Sequence, residues 1–485
     1  MDLAVVGAGI TGLGAAAFAS RGHAVTVFEA APRVGGAAAV EHISGLPFCP
    51  GPQFIWGFGP DGEGTRIFRR MGVHVPMRRM PANFDALSLG DGVYHDVVGG
   101  SCEAALERVV RRDPAQAGPI ARFTRALDLV GEACVAISAG ARFMDTGVSM
   151  LHHILTRRHL PLQARSLVLR NHRETVAGFA GRLGLCAEAV RIVVYHQGIF
   201  AERLDELSLV LFAAARHHLK QAHYVPEGGT RRVATALADH ITANGGTIRL
   251  GQEVTSVARS GTGWEIRSRG THDGEESVAT ANRVVFACAP PIAARLLPSM
   301  ELRHEPGFVV SALCLAAEVD EGVRQGLADR NFTWYRTPAE DVDFHAAPER
   351  LEYLNFTSPT LNGGEPAPDG RCVIVAFYPG GAEAASLAAQ AEAVVQAHLA
   401  RFGDARVGDR RIIGRRQWEQ DFGSYAGAAY GRRLTSMSLR QRAAVRTPPG
   451  IRIAHSSVGI PGIIGCLEMA ERVTDELGVN EGAGR

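Results

Sequence analysis

Short apolar runs followed by helical patterns occur at both ends of the chain, which is typical of α/β proteins. Runs that are apolar throughout predict strands buried in a parallel sheet. These predicted strands lie at 3–6, 25–29, 247–250, 283–287 and 451–454. Helices are predicted at 230–244, which stops at Gly245-Gly246, and at 463–477.

The middle of the chain has a different pattern. Residues 102–220 are rich in Ala, Leu and Arg with helical spacing, and prolines interrupt them. Residues 307–420 predict strands with one buried face and a single helix at 384–401. These half-buried strands are predicted at 308–315, 331–336, 351–357 and 372–378.

The order of these patterns implies that the chain crosses between two domains more than once. The predicted fold class is α/β, with a discontinuous Rossmann-like domain and an inserted α+β substrate domain made of a mixed sheet and a helical insert. We assign residues 1–95, 221–300 and 440–485 to the Rossmann-like domain. Residues 96–220 and 301–439 are assigned to the substrate domain.

Composition narrows the class of protein further. The 485 residues include 51 Lys and Arg against 50 Asp and Glu, so no basic excess suggests a nucleic-acid partner. Eight scattered cysteines without a C-x-x-C pair are typical of a reduced cytoplasmic protein. The first strand begins at Leu3 and leaves no room for a signal peptide, and no apolar run is long enough to span a membrane. We therefore expect a cytoplasmic protein.

A peripheral membrane contact through Arg157, Arg158 and neighbouring leucines is an alternative. The sequence leaves the oligomeric state open.

The first strand is followed by the spacing of a dinucleotide-binding turn. Gly7 permits the tight turn, Gly9 lets the backbone approach a pyrophosphate, and Gly12 allows the helix to pack closely on the strand. The pyrophosphate would lie at the helix N-terminus, where free N–H groups and the helix dipole favour an anion. Glu29 ends the second strand and would accept hydrogen bonds from a ribose.

Arg33-x-Gly35-Gly36, after this unit, resembles the glycine doublet of FAD-dependent oxidoreductases, a superfamily that includes amine oxidases, phytoene desaturases and carotenoid isomerases. Four further segments resemble the phytoene desaturase and carotenoid isomerase branch, and together the matches run from residue 1 to about 477. These segments are Phe48-Cys49-Pro50-Gly51-Pro52, Tyr224-Val225-Pro226-Glu227-Gly228-Gly229, Gly427-Ala428-Ala429-Tyr430-Gly431 and Gly459-Ile460-Pro461-Gly462-Ile463-Ile464-Gly465.

The resemblance implies FAD as the cofactor. The residues predicted to bind it are Gly7, Ala8, Gly9, Thr11, Gly12, Glu29, Ala30, Arg33, Gly35, Gly36, Gly51, Pro52, Gln53, Val254, Ser457, Gly459, Ile460, Pro461 and Gly462. The chain departs from the family pattern at Cys49, at Ala454 and at His455-Ser456-Ser457, so the flavin-ring contacts are expected to differ. No cysteine follows Trp418 closely, and a non-covalent flavin is therefore predicted.

The branch implies hydride transfer from a substrate C–H bond to the flavin, which introduces or isomerises a double bond in an apolar or biosynthetic-intermediate small molecule. The predicted catalytic residues are His455, Tyr195 and His196, and Trp334, Tyr425 and Tyr430 are predicted to line the substrate cavity. No second dinucleotide turn appears, so the electron acceptor is expected to be oxygen, a quinone or another carrier.

No metal site is predicted. The chain has eighteen histidines, but those adjacent in sequence point about 100° apart on a helix and cannot share one ion. H-E-x-x-H is also absent.

Three alternatives to a desaturase of an apolar substrate stay open. The first is a polar, anionic or carrier-bound substrate, since the helical insert is rich in Arg and His. The second is an amine or amino-acid oxidase that forms an imine and releases hydrogen peroxide. The third is a non-catalytic binding protein with the fold of the GDP-dissociation inhibitors.

Overall fold

The computed structural model describes residues 2–139, 162–303, 307–337, 341–344, 349–364, 367–368, 370–380, 385–428, 431, 433–435, 444–456 and 462–479. Its strands are β1 Leu3–Val6, β2 Val25–Phe28, β3 Glu41–Ile43, β4 Leu46–Phe48, β5 Met77–Arg79, β6 Asp85–Leu89, β7 His95–Val97, β8 Tyr224–Pro226, β9 Thr247–Arg249, β10 Gln252–Ser260, β11 Gly263–Gly270, β12 Glu276–Ala281, β13 Arg283–Phe286, β14 Glu301–Arg303, β15 Val310–Val319, β16 Asn331–Tyr335, β17 Tyr353–Thr357, β18 Arg371–Pro379, β19 Ala405–Ile413, β20 Ala444–Arg446 and β21 Ile451–Ile453. Its α-helices are α1 Ile10–Ser20, α2 Glu63–Met71, α3 Glu103–Arg112, α4 Ala117–Ala139, α5 Leu162–Asn171, α6 Val176–Leu183, α7 Ala187–Val193, α8 Gln197–Phe200, α9 Leu209–Gln221, α10 Arg231–Ala243, α11 Pro290–Leu296, α12 Glu321–Leu327, α13 Ala385–Leu399, α14 Arg415–Gln420 and α15 Gly462–Glu476.

A five-stranded parallel sheet joins segments from three distant parts of the chain. Its strand order is β21-β13-β1-β2-β9, and Leu3 pairs with Val25 on one side and with Arg283 on the other. Every residue of β1, β2 and α1 is buried, because α1 lies between this sheet and α15. A Cβ built on Gly14 would lie 2.9 Å from Ala470 Cβ, which shows how closely α1 and α15 approach. The predicted discontinuous Rossmann-like domain is confirmed.

The second large sheet is mixed and has seven strands in the order β19-β15-β18-β17-β16-β6-β7. All neighbours are antiparallel except β16 and β6. Both faces of strand β15, which lies next to the edge strand β19, are covered: Leu313 packs toward α13, and Cys314 packs toward Trp418 and Phe422. The prediction of half-buried strands was therefore wrong, since helices and loops cover the second face as well.

The boundary between the two domains differs from the predicted one at its first crossing. Strands β6 and β7 pair within the seven-stranded sheet, so residues 85–97 belong to the substrate domain, although 1–95 was assigned to the Rossmann-like domain. The short ladder of β5 with β8 connects the two regions. An antiparallel sheet of β10, β11 and β12 joins the Rossmann-like domain where Gln252 N–H donates to the Glu29 carbonyl.

Helices α3 to α9 form the predicted helical insert, with a core of their own around Phe123, Leu127 and Phe212. The residues proposed for a peripheral membrane contact, at 151–160, lie outside the described residues. Within the part of the chain that the structure describes, no helix has the length and apolar character needed to cross a membrane.

Candidate functional site

The glycine turn after β1 has the geometry that a dinucleotide requires. Gly7 has a φ of +106°, a conformation that favours glycine. A Cβ on Gly12 would lie 2.0 Å from the Gly7 carbonyl oxygen, so only glycine fits there. A Cβ on Gly9 would meet nothing within 4 Å, and its surface is therefore open to a ligand. The three glycines thus have the backbone geometry that each of their predicted roles requires.

The N-terminus of α1 is open for an anion. Gly9 is its N-cap, no side chain caps it, and its first turn has no acidic residue. The glycine doublet packs beside this turn, because Gly35 N–H donates to the Ala8 carbonyl over 2.8 Å and a Cβ on Gly36 would lie 3.2 Å from Gly9 Cα. Unpaired N–H groups at a helix start bind phosphate groups, and the packing of the two motifs leaves this helix start open for the predicted pyrophosphate.

Glu29 is fixed by the backbone that surrounds it. Its Oε2 accepts the Ala8 N–H over 2.6 Å, and its Oε1 accepts the Ala31 N–H over 2.9 Å. A carboxylate oxygen has two lone pairs, so each oxygen keeps one for a ribose hydroxyl. The carboxylate is therefore already oriented for the ligand that its position predicts.

A cavity of about 910 Å³ extends from this turn to the seven-stranded sheet. One side, which we call the cofactor wall, includes these predicted FAD-binding residues: Gly7, Gly9, Thr11, Glu29, Ala30, Arg33, Gly35, Gly36, Gly51, Pro52, Gln53, Val254 and Gly462. Ala8 and Gly12 do not line the cavity but shape the turn from behind. Ser457, Gly459, Ile460 and Pro461 lie outside the described residues.

The far end of the cofactor wall is formed by the start of α15 and by the segment around Gln53. Gly462 has a φ of +89° and begins α15, and His455 and Ser456 lie beside it in the cavity. The Gln53 amide donates to the Cys49 and Gly51 carbonyls, while its buried Oε1 has no partner. An unpartnered buried acceptor in a cavity wall fits a donor group on a ligand. The glycine turn, Glu29 and this acceptor together fit a flavin dinucleotide.

Sequence reasoning missed the part of the cofactor wall that follows β13. Ala287, Cys288 and Ala289 line the cavity just after the strand that neighbours β1. Three small residues between an apolar strand and Pro290 are the pattern in the sequence that could have indicated a loop close to the cofactor. Burial raises the pKa of the Cys288 thiol to about 12, so the sulfur stays protonated and is a poor nucleophile.

The opposite side of the cavity, which we call the sheet wall, is largely apolar. Its members are Gly198, Ile199, Val310, Tyr353, Asn355, Phe377, Arg411, Trp418, Glu419, Gln420, Asp421, Phe422, Gly423, Ser424 and Ala428. The Trp418 indole N–H donates to the Val310 carbonyl over 2.8 Å, and its ring lies 5.1 Å from the Phe422 ring. Both aromatic side chains are thus held in fixed positions.

The charged side chains of the sheet wall have partners of opposite charge within the described residues. Arg411 contacts the Glu41 carboxylate at 2.7 Å and Asp421 at 3.8 Å. Glu419 accepts from Arg415 over 3.1 Å. The sheet wall consequently presents to a substrate both apolar side chains and charged side chains that are already paired.

One of the three predicted cavity residues lies elsewhere. Trp334 packs with the core on the α13 side of the sheet, with the Arg336 guanidinium 5.9 Å from its ring, so it is turned away from the cavity. That prediction was wrong, because the direction of a side chain on a strand is set by packing. Tyr425 follows Ser424, which lines the cavity, and its own place in the cavity stays a prediction. Tyr430 lies outside the described residues.

The three predicted catalytic residues separate into two groups. His455 lines the cavity. Tyr195 and His196 do not, because their rings are buried beside Asp85, and the Tyr195 hydroxyl donates to Asp85 Oδ2 over 3.1 Å. The predicted catalytic role of Tyr195 and His196 is therefore contradicted: helix α8 presents Gly198 and Ile199 to the cavity instead.

A model of the flavin-containing amine oxidoreductase family matches residues 10–477. The chain belongs to this family. Its cofactor is FAD, as the glycine turns and Glu29 predict. That the residues of the cofactor wall bind this dinucleotide stays a prediction, and all of them line one cavity.

Similarity to individual proteins is more distant. A phytoene dehydrogenase of Streptomyces griseus is 28% identical over 324 residues, which are 63% of this chain and 59% of that protein. A probable malate:quinone oxidoreductase of Corynebacterium jeikeium is 37% identical over 90 residues, 18% of each chain. The chain thus aligns with less than two thirds of the length of either curated relative.

Among solved structures, a putrescine oxidase bound to putrescine superposes with a TM-score of 0.62 over 98% of both chains, at 19% identity. At this identity the superposition shows that the fold is shared.

Proposed function

We propose that the protein is an FAD-dependent dehydrogenase that introduces, or isomerises, a carbon–carbon double bond in a mainly apolar substrate. The observation that carries this proposal is the sheet wall, whose Ile199, Val310, Phe377, Trp418 and Phe422 face the same cavity as the FAD-binding turn. Burial of apolar substrate surface against such a wall is favourable by about 25 cal/mol per Å².

In this reaction FAD supplies the acceptor for the hydride that leaves one substrate carbon, while the neighbouring carbon loses a proton and the double bond forms between them. The sheet wall would hold the substrate against the cofactor wall and exclude water. His455 is the one histidine that lines the cavity within the described residues, and we assign it the departing proton, accepted at an imidazole nitrogen.

The phytoene dehydrogenase relative supports a desaturase, since it aligns over 324 residues. Oxygen, a quinone or another carrier is proposed as the electron acceptor. Arg411 in the sheet wall gives the predicted anionic substrate little support, because its charge is already paired with Glu41 and Asp421.

A flavin amine oxidase is the second candidate. The aromatic residues Tyr353, Phe377 and Trp418 could receive a cationic or neutral amine against their ring faces. The shared fold with putrescine oxidase is compatible with this candidate.

Product analysis separates the two candidates. Purified flavin-loaded protein is incubated in air with a detergent-dispersed linear polyene, or with aliphatic di- and monoamines, and products are analysed by mass spectrometry with a peroxide assay. Our proposal expects a polyene product lighter by two hydrogens, or an isomer of unchanged mass. Peroxide and aldehyde formed from the amines, with the polyene unchanged, would contradict it. His455→Gln should lower kcat and remove an ionisation from its pH profile while the FAD content stays unchanged.

A further inference from the structure

Behind the cavity, three potential metal ligands from distant parts of the chain meet at one buried point. Asp85 starts β6, His196 precedes α8, and His223 precedes β8. Their exposed fractions are 3%, 4% and 7%. One ligand atom from each lies within 4.8 Å of the other two.

The distances in this cluster are long for hydrogen bonds. Asp85 Oδ2 lies 3.5 Å from His223 Nε2 and 3.7 Å from His196 Nε2, whereas an N–H···O bond typically spans about 2.9–3.0 Å. Both Nε2 atoms are buried and have no hydrogen-bond partner. Leaving a buried polar group unsatisfied costs about 1–3 kcal/mol, so two such atoms aimed at one carboxylate indicate a missing partner.

The two separations between the carboxylate and the imidazoles, 3.5 and 3.7 Å, are close to those between ligands around one tetrahedral metal ion. With Zn–N and Zn–O bonds of about 2.0–2.1 Å, neighbouring ligand atoms lie about 3.3 Å apart. We propose that Asp85, His196 and His223 bind one structural Zn²⁺ ion. Two imidazole nitrogens and a carboxylate oxygen suit zinc, which has no redox chemistry to interfere with the flavin.

The surroundings of the cluster support its ligands as outer-shell groups commonly do. Asn331 Nδ2 donates to Asp85 Oδ1 over 2.8 Å, and the Tyr195 hydroxyl donates to Oδ2. The Asn331 Oδ1 atom is also buried without a hydrogen-bond partner. The nearby cation Arg216 is neutralised by its ion pair with Asp128.

The ion would tie three regions together behind the cavity. Asp85 belongs to the seven-stranded sheet, His196 to the helical insert, and His223 to the segment that enters the β5–β8 ladder. The Phe54 ring lies 4.8 Å from the His223 ring and also lines the cavity. Zinc would therefore fix the position of one cavity wall without touching the substrate.

The experiment measures metal in untagged, flavin-loaded protein after exhaustive desalting. Inductively coupled plasma mass spectrometry should find about one zinc ion per chain. His223→Gln should lose it, whereas His398→Gln should keep it, because His398 is equally buried but packs among Tyr94, Phe332 and Phe402. Zinc retained in full by a folded His223→Gln variant would overturn the proposal.

A second measurement applies if His223→Gln does not fold. Wild-type protein is unfolded, freed of metal with a chelator, and refolded with FAD in the presence of Co²⁺. The proposal expects visible absorption of tetrahedral cobalt at about one equivalent, displaced by Zn²⁺. Refolded wild-type protein that takes up neither ion, or isolated protein that contains no metal and binds none, would overturn it.

Discussion

The glycine turn allows a sharp test, because two of its glycines should respond to alanine in different ways. A Cβ at Gly12 would lie 2.0 Å from the Gly7 carbonyl oxygen, and real Cβ atoms essentially never come closer than 3.0 Å. The turn must therefore open by about 1 Å. Overpacking of a buried contact costs about 1–3 kcal/mol, so Gly12→Ala should lose this much unfolding free energy and bind FAD weakly.

Gly9 is the matched control, since the added methyl group meets nothing within 4 Å and the backbone angles of −71° and 173° are open to alanine. Replacing such a glycine stabilises a protein by about 0.4–1 kcal/mol through the unfolded state. The same methyl group would occupy the space that we assign to the pyrophosphate. Gly9→Ala should thus leave the flavin-free protein at least as stable as wild type but weaken FAD binding by about tenfold or more, which is about 1.4 kcal/mol.

The assay combines urea unfolding of flavin-free protein with titration by FAD. Opposite signs for the stability and the FAD affinity of Gly9→Ala are the expected result. Wild-type FAD affinity in Gly9→Ala, or wild-type stability in Gly12→Ala, would refute the assignment of the turn.

Three further predictions concern substitutions of single residues. Glu29→Ala leaves the N–H groups of Ala8 and Ala31 without an acceptor, at about 1–3 kcal/mol each, and should lower both the melting temperature and the FAD content of purified protein. Gly198→Ala would place a Cβ 2.0 Å from the Tyr353 ring, and should therefore lower kcat/KM with unchanged FAD content; unchanged turnover would contradict the position of the sheet wall. Burial and the neighbouring Glu63 raise the pKa of Glu468 to about 8, against 4.5 ordinarily. Between pH 4.5 and 8 the folded protein therefore keeps a proton on Glu468 that the unfolded chain has lost, and the free energy of unfolding should fall as the pH rises through this range. Glu468→Gln should reduce that fall by about 1–3 kcal/mol in denaturant titrations between pH 5 and 9, because one pKa unit is worth 1.36 kcal/mol and partial exposure screens the effect.

The cofactor half of the molecule is readable from the sequence because its signals are local. Gly7, Gly9, Gly12 and Glu29 lie within one strand–helix–strand unit, so their spacing alone defines the turn that the structure contains. The apolar strands of the parallel sheet are also recognisable one by one, although they come from three separate segments.

The residues that line the substrate side of the cavity could not be predicted in the same way, because the direction of each side chain there is set by contacts with residues distant in the sequence. Trp334 is turned toward α13 by the sheet on which it lies, and Tyr195 and His196 are turned toward Asp85. Tyr353 and Asn355, which do line the cavity, follow no motif. The cluster of Asp85, His196 and His223 likewise has no fixed spacing in the sequence, since the three ligands belong to different elements.

Anaerobic flavin reduction shows whether the protein uses FAD to remove hydrogen from an apolar substrate. Oxidised, flavin-loaded protein is mixed without oxygen with a linear polyene or with putrescine, and the absorbance of oxidised flavin is followed in a single turnover. We expect the polyene to bleach the flavin and putrescine to leave it oxidised. Bleaching by putrescine, with the flavin unchanged by polyenes, would contradict the proposed desaturase and favour an amine oxidase.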